Sequence, residues 1–283
     1  MMENKEILGI IIVVILLITL IGAIYLAVFG YTNEENEKDI VTKTFKLDKS
    51  QVQGIKTVNL NFSSKSGGAE VYFPKNMDSI YEITFKTNND SKIPTLTYNR
   101  QGDVLNINTN MESGSAKIAL DSAYTYNGNI EFDLGGLNIA LGNGTQIDQL
   151  NTHIKYFGGG YLLLDEADFN QVNMKVNTGG FMIMGTPKMN KSGNITTNAQ
   201  IGGITIALKQ FNTTGVSIRG VIDSGGINFE PGYQVIKNTN TSVELQSPQF
   251  NQTPVKLILN NSVGLGGINI NNFLNFFNIP LST

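Results

Sequence analysis

The chain has no cysteine and a single histidine, His153, in 283 residues. Without thiols there is no disulfide framework, no thiolate metal site and no cysteine nucleophile. One histidine excludes a histidine-clustered metal site within one chain. Charge is scarce too: 20 Lys and Arg stand against 23 Asp and Glu, for a formal net charge of −3. With no basic patch, nucleic-acid binding is not expected. Beyond the N-terminus helical periodicity is almost absent. No catalytic, cofactor-binding or metal-binding residue is singled out, and no cofactor is expected.

What is present begins with an uncharged run from Ile7 to Phe29. At about 1.5 Å per residue a helix of that length crosses a hydrocarbon core of about 30 Å. The run is longer than a signal-peptide core and ends Leu26-Ala27-Val28-Phe29-Gly30, a poor cleavage site. The expected layout is a cytoplasmic tail at 1–6, a transmembrane helix at 7–29, an acidic spacer at 30–39, an ectodomain at 40–271 and an apolar C-terminal cap at 272–283. The localisation read from it is a single-pass cell-membrane protein with its C-terminal domain outside. The bilayer is then its first partner.

The ectodomain carries a recurring glycine pair, each time followed by an apolar-x-apolar run. The pairs are Gly135-Gly136, Gly159-Gly160, Gly179-Gly180, Gly202-Gly203 and Gly225-Gly226, at steps of 24, 20, 23 and 23 residues. Period-2 alternation flanks each pair, as in Met174-Lys175-Val176 before one and Phe181-Met182-Ile183 after it. A repeat of this length is one supersecondary unit that must stack on copies of itself to bury its apolar face. The fold class expected is all-β: a single-stranded β-solenoid, repeat about 20–24 residues, behind the N-terminal helix. The glycines are the expected structural corners. Gly67-Gly68, Gly114 and Gly266-Gly267 suggest that the array extends from about 56 to 271, with degenerate copies between. In this register Leu162 and Met182 face outward and form an apolar patch for a flanking segment. The tail from Phe273 to Leu281 is expected to cover the open end of the stack. An antiparallel sandwich with glycine-rich turns is the competing reading.

Tandem strand–Gly-Gly–strand units behind a membrane helix resemble the adhesin-like "toast-rack" family of β-solenoid domains, also found in cell-envelope stress regulators. The resemblance covers roughly 56–271 and implies a non-enzymatic, surface-exposed or membrane-tethered domain. No functional residue of that family maps onto a position here.

Several motifs invite stronger readings. Leu162-Leu163-Leu164-Asp165-Glu166-Ala167-Asp168 looks like a helicase-type acidic element. Its phosphate-loop partner would be Gly185-Thr186-Pro187-Lys188-Met189-Asn190-Lys191-Ser192, which lacks the second glycine and stands on the wrong side of it. Asp165, Glu166 and Asp168 have no calcium-loop spacing. Asp133, Asp148, Asp165 and Asp223 would need to converge in pairs for a glycosidase. His153 lacks a serine–acid context. Asn-x-Ser/Thr acceptors for glycosylation stand at Asn61, Asn89, Asn143, Asn190, Asn194, Asn212, Asn240, Asn251 and Asn260. The function expected is binding, adhesion or envelope sensing, with a cell-wall polymer, glycan or envelope protein as partner. Alternatives are a polysaccharide-acting enzyme on the same scaffold and a self-assembling structural protein.

Overall fold

The computed structural model describes residues 40–88, 92–210 and 212–272. The helix expected at 7–29, the spacer at 30–39 and the tail beyond Asn272 lie outside the described residues. What is described is all-β: one open 12-stranded sheet. Its strands are β1 (Val41–Asp48), β2 (Thr57–Tyr72), β3 (Ser79–Thr87), β4 (Thr95–Gln101), β5 (Val104–Leu120), β6 (Thr125–Leu141), β7 (Thr145–Lys188), β8 (Gly193–Leu208), β9 (Thr214–Phe229), β10 (Gln234–Asn238), β11 (Ser242–Gln246) and β12 (Val255–Asn272).

The long strands share one design. Each has a first arm, a bend at a positive-φ glycine and a second arm, so each is a rung folded over its own apolar side chains. β7 supplies two rungs. The bend glycines run Gly114, Gly67, Gly135, Gly158, Gly179, Gly202, Gly266 and Gly225 through the stack, all at positive φ. They stack in parallel register along β5, β2, β6, β7, β8, β12 and β9. At Gly135 a Cβ would overlap the Gly67 carbonyl, and at Gly179 the Gly158 carbonyl. Glycine is therefore required by backbone approach as well as by φ. Inward side chains such as Phe62, Phe132, Ile139, Phe181, Ile204 and Leu259 fill the space between the arms. Phe62 and Phe132 meet with ring centroids 5.5 Å apart.

Two expectations are corrected. First, the second bend is Gly158, not Gly159: Gly135 pairs with Gly158, Gly136 with Gly159 and Leu137 with Gly160. Three consecutive glycines concealed the register. A one-residue shift turns every side chain over, so Leu162 is buried, whereas Leu163 is 37% exposed. The step from Gly135 to Gly158 accommodates a bulge, where Leu134 pairs with Phe157 although Phe132 pairs with Ile154. Second, the rungs do not stack in chain order, and among the described residues the one degenerate copy between Gly67 and Gly135 is β5 with its bend at Gly114. Gly67 stacks directly on Gly135, and the chain between them forms the β3 and β4 strands and then β5 on the far side of β2. β12 inserts between β8 and β9. Stacking follows chain order only from β6 through β8.

The ends differ from the middle. At one end β5 is covered by β4 on its first arm and by β3, then β1, on its second, all antiparallel. At the other, β11 and then β10 cover the first arm of β9. Asp121 secures the first end. Its carboxylate holds Lys49 at 2.7 Å and accepts the Ala123 amide at 2.7 Å.

Candidate functional site: an asparagine-faced sheet and its groove

Pairing in register turns a sequence repeat into columns, because outward residues of successive first arms stand about 4.8 Å apart. One column reads Asn108, Asn61, Asn129, Asn151, Asn173, Thr196 and Asn260 across seven rungs. Its amides form a ladder. Asn61 donates to Asn108 at 3.0 Å, Asn129 to Asn61 at 3.1 Å, Asn151 to Asn129 at 3.0 Å and Asn173 to Asn151 at 2.8 Å. A parallel column does the same: Asn106 donates to Asn99 at 3.0 Å, Asn59 to Asn106 at 2.8 Å and Asn127 to Asn59 at 3.1 Å. Each primary amide has two N–H groups and two acceptor lone pairs. The ladder uses one donor and one acceptor of Asn61 and Asn129, leaving each a second donor and acceptor for a ligand; Asn151 also accepts from Gln149 at 3.3 Å and Asn173 from Gln171 at 2.7 Å.

The first column borders an open groove of about 450 Å³ walled by β4. Thr95 and Thr97 form one side, and Asn61, Asn108 and Asn129 the other. Glu131 is the carboxylate at its rim. It is held by Lys155 at 3.1 Å, which also reaches Asp133 at 3.3 Å. Hydrogen bonding to Glu131 raises the Lys155 pKa above its ordinary value.

The other sequence-level candidates do not converge on this groove. Ser63, Glu131 and His153 occupy consecutive rungs in that order. The acid lies between the serine and the histidine, whereas a hydrolase triad needs the imidazole between the other two. Asp165 pairs with Lys188, the last residue of β7, at 3.1 Å, so this carboxylate of the acidic element is neutralised. Glu166 faces Lys75 at 3.8 Å. Asp168 caps the next turn, accepting the Asn190 amide at 2.6 Å and the Lys191 amide at 3.2 Å. Asp148 accepts from Asn170 at 2.6 Å. Asp223 is exposed on β9, far along the stack from Asp133 on β6. Among the described residues no group of three or more His, Asp or Glu is placed to hold a metal ion.

Of the glycosylation acceptors, Asn61 is inside the ladder, Asn260 shares its column, and Asn194 lies in the neighbouring one beside Gln171. Asn143 and Asn190 sit in turns with their amides donating to Phe73 at 2.9 Å and Asp168 at 3.3 Å. Asn212, Asn240 and Asn251 are exposed in loops, and Asn89 lies outside the described residues. The asparagine columns themselves went unread in the sequence. Their signal was Asn at alternate positions, as in Asn59 and Asn61, Asn106 and Asn108, and Asn127 and Asn129.

A second feature appears only in three dimensions. The residues just before the bend glycines project from the corner. Leu134, Phe157, Ile201 and Leu265 are 46–53% exposed there, with Thr178 midway.

No protein-family model matches the chain, and no curated protein does. Among solved structures the chain is similar to a "putative cell adhesion protein" from Clostridium sporogenes. The identity is 13% and the TM-score 0.55, over 82% of this chain and 99% of that one. It also aligns with a "putative adhesin" from Bacteroides fragilis at 12% identity and a TM-score of 0.29, over 83% of this chain and 98% of that one. The first likeness defines the class of fold: all-β and adhesin-like. At this identity it transfers no site residue.

Proposed function

We propose that this chain is a non-catalytic adhesion module with a β-solenoid ectodomain, held at a membrane by the apolar stretch 7–29. Its asparagine face binds a repeating cell-wall or cell-surface glycan. The observation that carries this reading is the amide ladder from Asn108 to Asn173, with second donors unused along it and second acceptors unused at Asn61 and Asn129. A sugar polymer presents hydroxyls at a comparable repeat, so weak contacts add along the strand as avidity without a deep pocket. The adhesin-like fold supports the same class of role. A glycosidase needs two carboxylates across the scissile bond. The groove offers Glu131 alone, and Lys155 holds it, so binding is favoured over cleavage.

The test is co-sedimentation of the solubilised full chain with insoluble envelope polysaccharide. Retention is expected, and Asn61→Ala with Asn129→Ala should lower it at least tenfold. Absence of retention on any envelope fraction refutes the reading, as does release of reducing ends during the incubation.

A further inference from the structure

The residues that precede the bend glycines line one corner of the stack, and their chemistry reads nearly the same from either end. In spatial order the corner runs Leu134, Phe157, Thr178, Ile201 and Leu265. Phe157 and Thr178 are neighbours because their bend glycines stack: a Cβ at Gly179 would overlap the Gly158 carbonyl. Ser66 stands beyond Leu134, and Ser224 beyond Leu265. The four large side chains are 46–53% exposed, and Tyr156, beside Phe157, is 64% exposed. The ridge is therefore apolar over five rungs, about 19 Å, with a small residue at its centre and a serine at each end. A contiguous exposed apolar row of this kind marks an interaction surface.

Symmetry says what fits it. A surface that reads alike in both directions complements itself across a two-fold axis. Consider an axis through Thr178, perpendicular to the stack and relating first arm to first arm. It sets Leu134 against the partner's Leu265, Phe157 against the partner's Ile201, and Thr178 against its own copy. Charge agrees with this direction. Lys65 and Asp223 both stand two residues before their bend glycines, on β2 and β9, and both are exposed. The same axis brings Lys65 toward the partner's Asp223 at each end of the ridge. We infer that two copies of this chain associate corner to corner, antiparallel, along this ridge. Asn129 stands five residues before Leu134, about 16 Å away along the strand, so the association leaves both asparagine faces open, on one side of the pair. A contact this short belongs with interfaces under about 1,200 Å² in total, and it is reversible. The inference stands independently of what the asparagine face binds.

Crosslinking tests it, because the chain has no cysteine and each variant then carries one thiol. The full chain is reconstituted in phosphatidylcholine vesicles and treated with a short bifunctional thiol reagent. Thr178→Cys should crosslink to its own copy at least tenfold faster than Leu134→Cys does, since two copies of Leu134 stand about 19 Å apart across the axis. A mixture of Leu134→Cys copies and Leu265→Cys copies should give a crosslink that neither gives alone. Adding Phe157→Asp and Ile201→Asp should slow the Thr178→Cys reaction at least tenfold. Both positions are about half exposed, and circular dichroism reports that the sheet is retained. Absence of the Thr178→Cys crosslink in folded protein overturns the inference. So do equal rates at all three positions, which is random collision, and fast self-crosslinking of Leu134→Cys, which is parallel packing. The chain also has no tryptophan. Quenching of Phe157→Trp fluorescence by brominated lipid would place a bilayer on the ridge and overturn the inference as well.

Discussion

The first-arm and second-arm faces belong to the same rungs, share one register and bury the same core, yet they differ in how side chains connect one rung to the next. On the first arm, asparagine amides donate from rung to rung, so side-chain hydrogen bonds run alongside those of the backbone. In the middle of the second arm the outward residues are Tyr161, Leu163, Met182 and Met184, which have no such directional link; an amide link returns only toward the far end, where Asn228 donates to Asn269 at 3.3 Å. The backbone ladder and the buried side chains hold that arm together. A polar ladder repeated at one spacing suits a ligand that repeats.

The comparison is sharpened first at the shared corner, where both faces depend on glycine. Gly179→Ala places a methyl group on the Gly158 carbonyl at a φ of +132°. We expect a loss of at least about 3 kcal/mol, from backbone strain and from displacement of the neighbouring rung. Gly226→Ala meets nothing within 4 Å and should change stability by less than about 0.5 kcal/mol. Chemical denaturation of both variants measures the contrast, and equal midpoints would break the account of the corner. Next comes the core that both faces share. Phe132→Ala removes a fully buried ring and should cost about 3–5 kcal/mol in the same assay.

The ends of the stack titrate apart from both faces. Burial pushes the Tyr81 and Tyr233 phenols from 10.0 up to about 12. A raised folded-state pKa means that the unfolded chain ionises first. Stability is therefore full below about pH 10 and falls between pH 10 and 12. Denaturation midpoints that stay level across that window would contradict the buried placement of these rings.

The smallest effects separate the two faces directly. Asn151→Ala removes one hydrogen bond donated and two accepted and should cost about 1 kcal/mol. Leu163→Asn should shift stability by less than about 0.5 kcal/mol, because its side chain faces outward and is 37% exposed. Equal costs for the two would erase the distinction between the faces.

Much of the fold was legible because its determinants are local. Alternation announced strands, and recurring glycine announced a repeated bend. The register around Gly158 was not legible, because Gly158-Gly159-Gly160 offers two possible pairs and only stacking on Gly135 selects one. The insertion of β12 between β8 and β9 was equally hidden. Gly266 stands 41 residues after Gly225, a spacing that suggested two further rungs when the chain in fact returns to the neighbouring position. Asn61 stood out in the sequence as a glycosylation acceptor, and its ladder partners Asn108 and Asn129 emerged only from pairing.

The sequence alone determined the all-β class, the bend at each glycine and the alternation that sends one set of side chains inward. These follow from φ preferences and hydrophobic periodicity within a few residues. The order of rungs, the facing of Leu162 and Leu163, and the assembly of scattered asparagines into columns were decided by tertiary structure. They depend on which edge pairs with which, and strand pairing sums many similar hydrogen bonds across residues far apart in the chain.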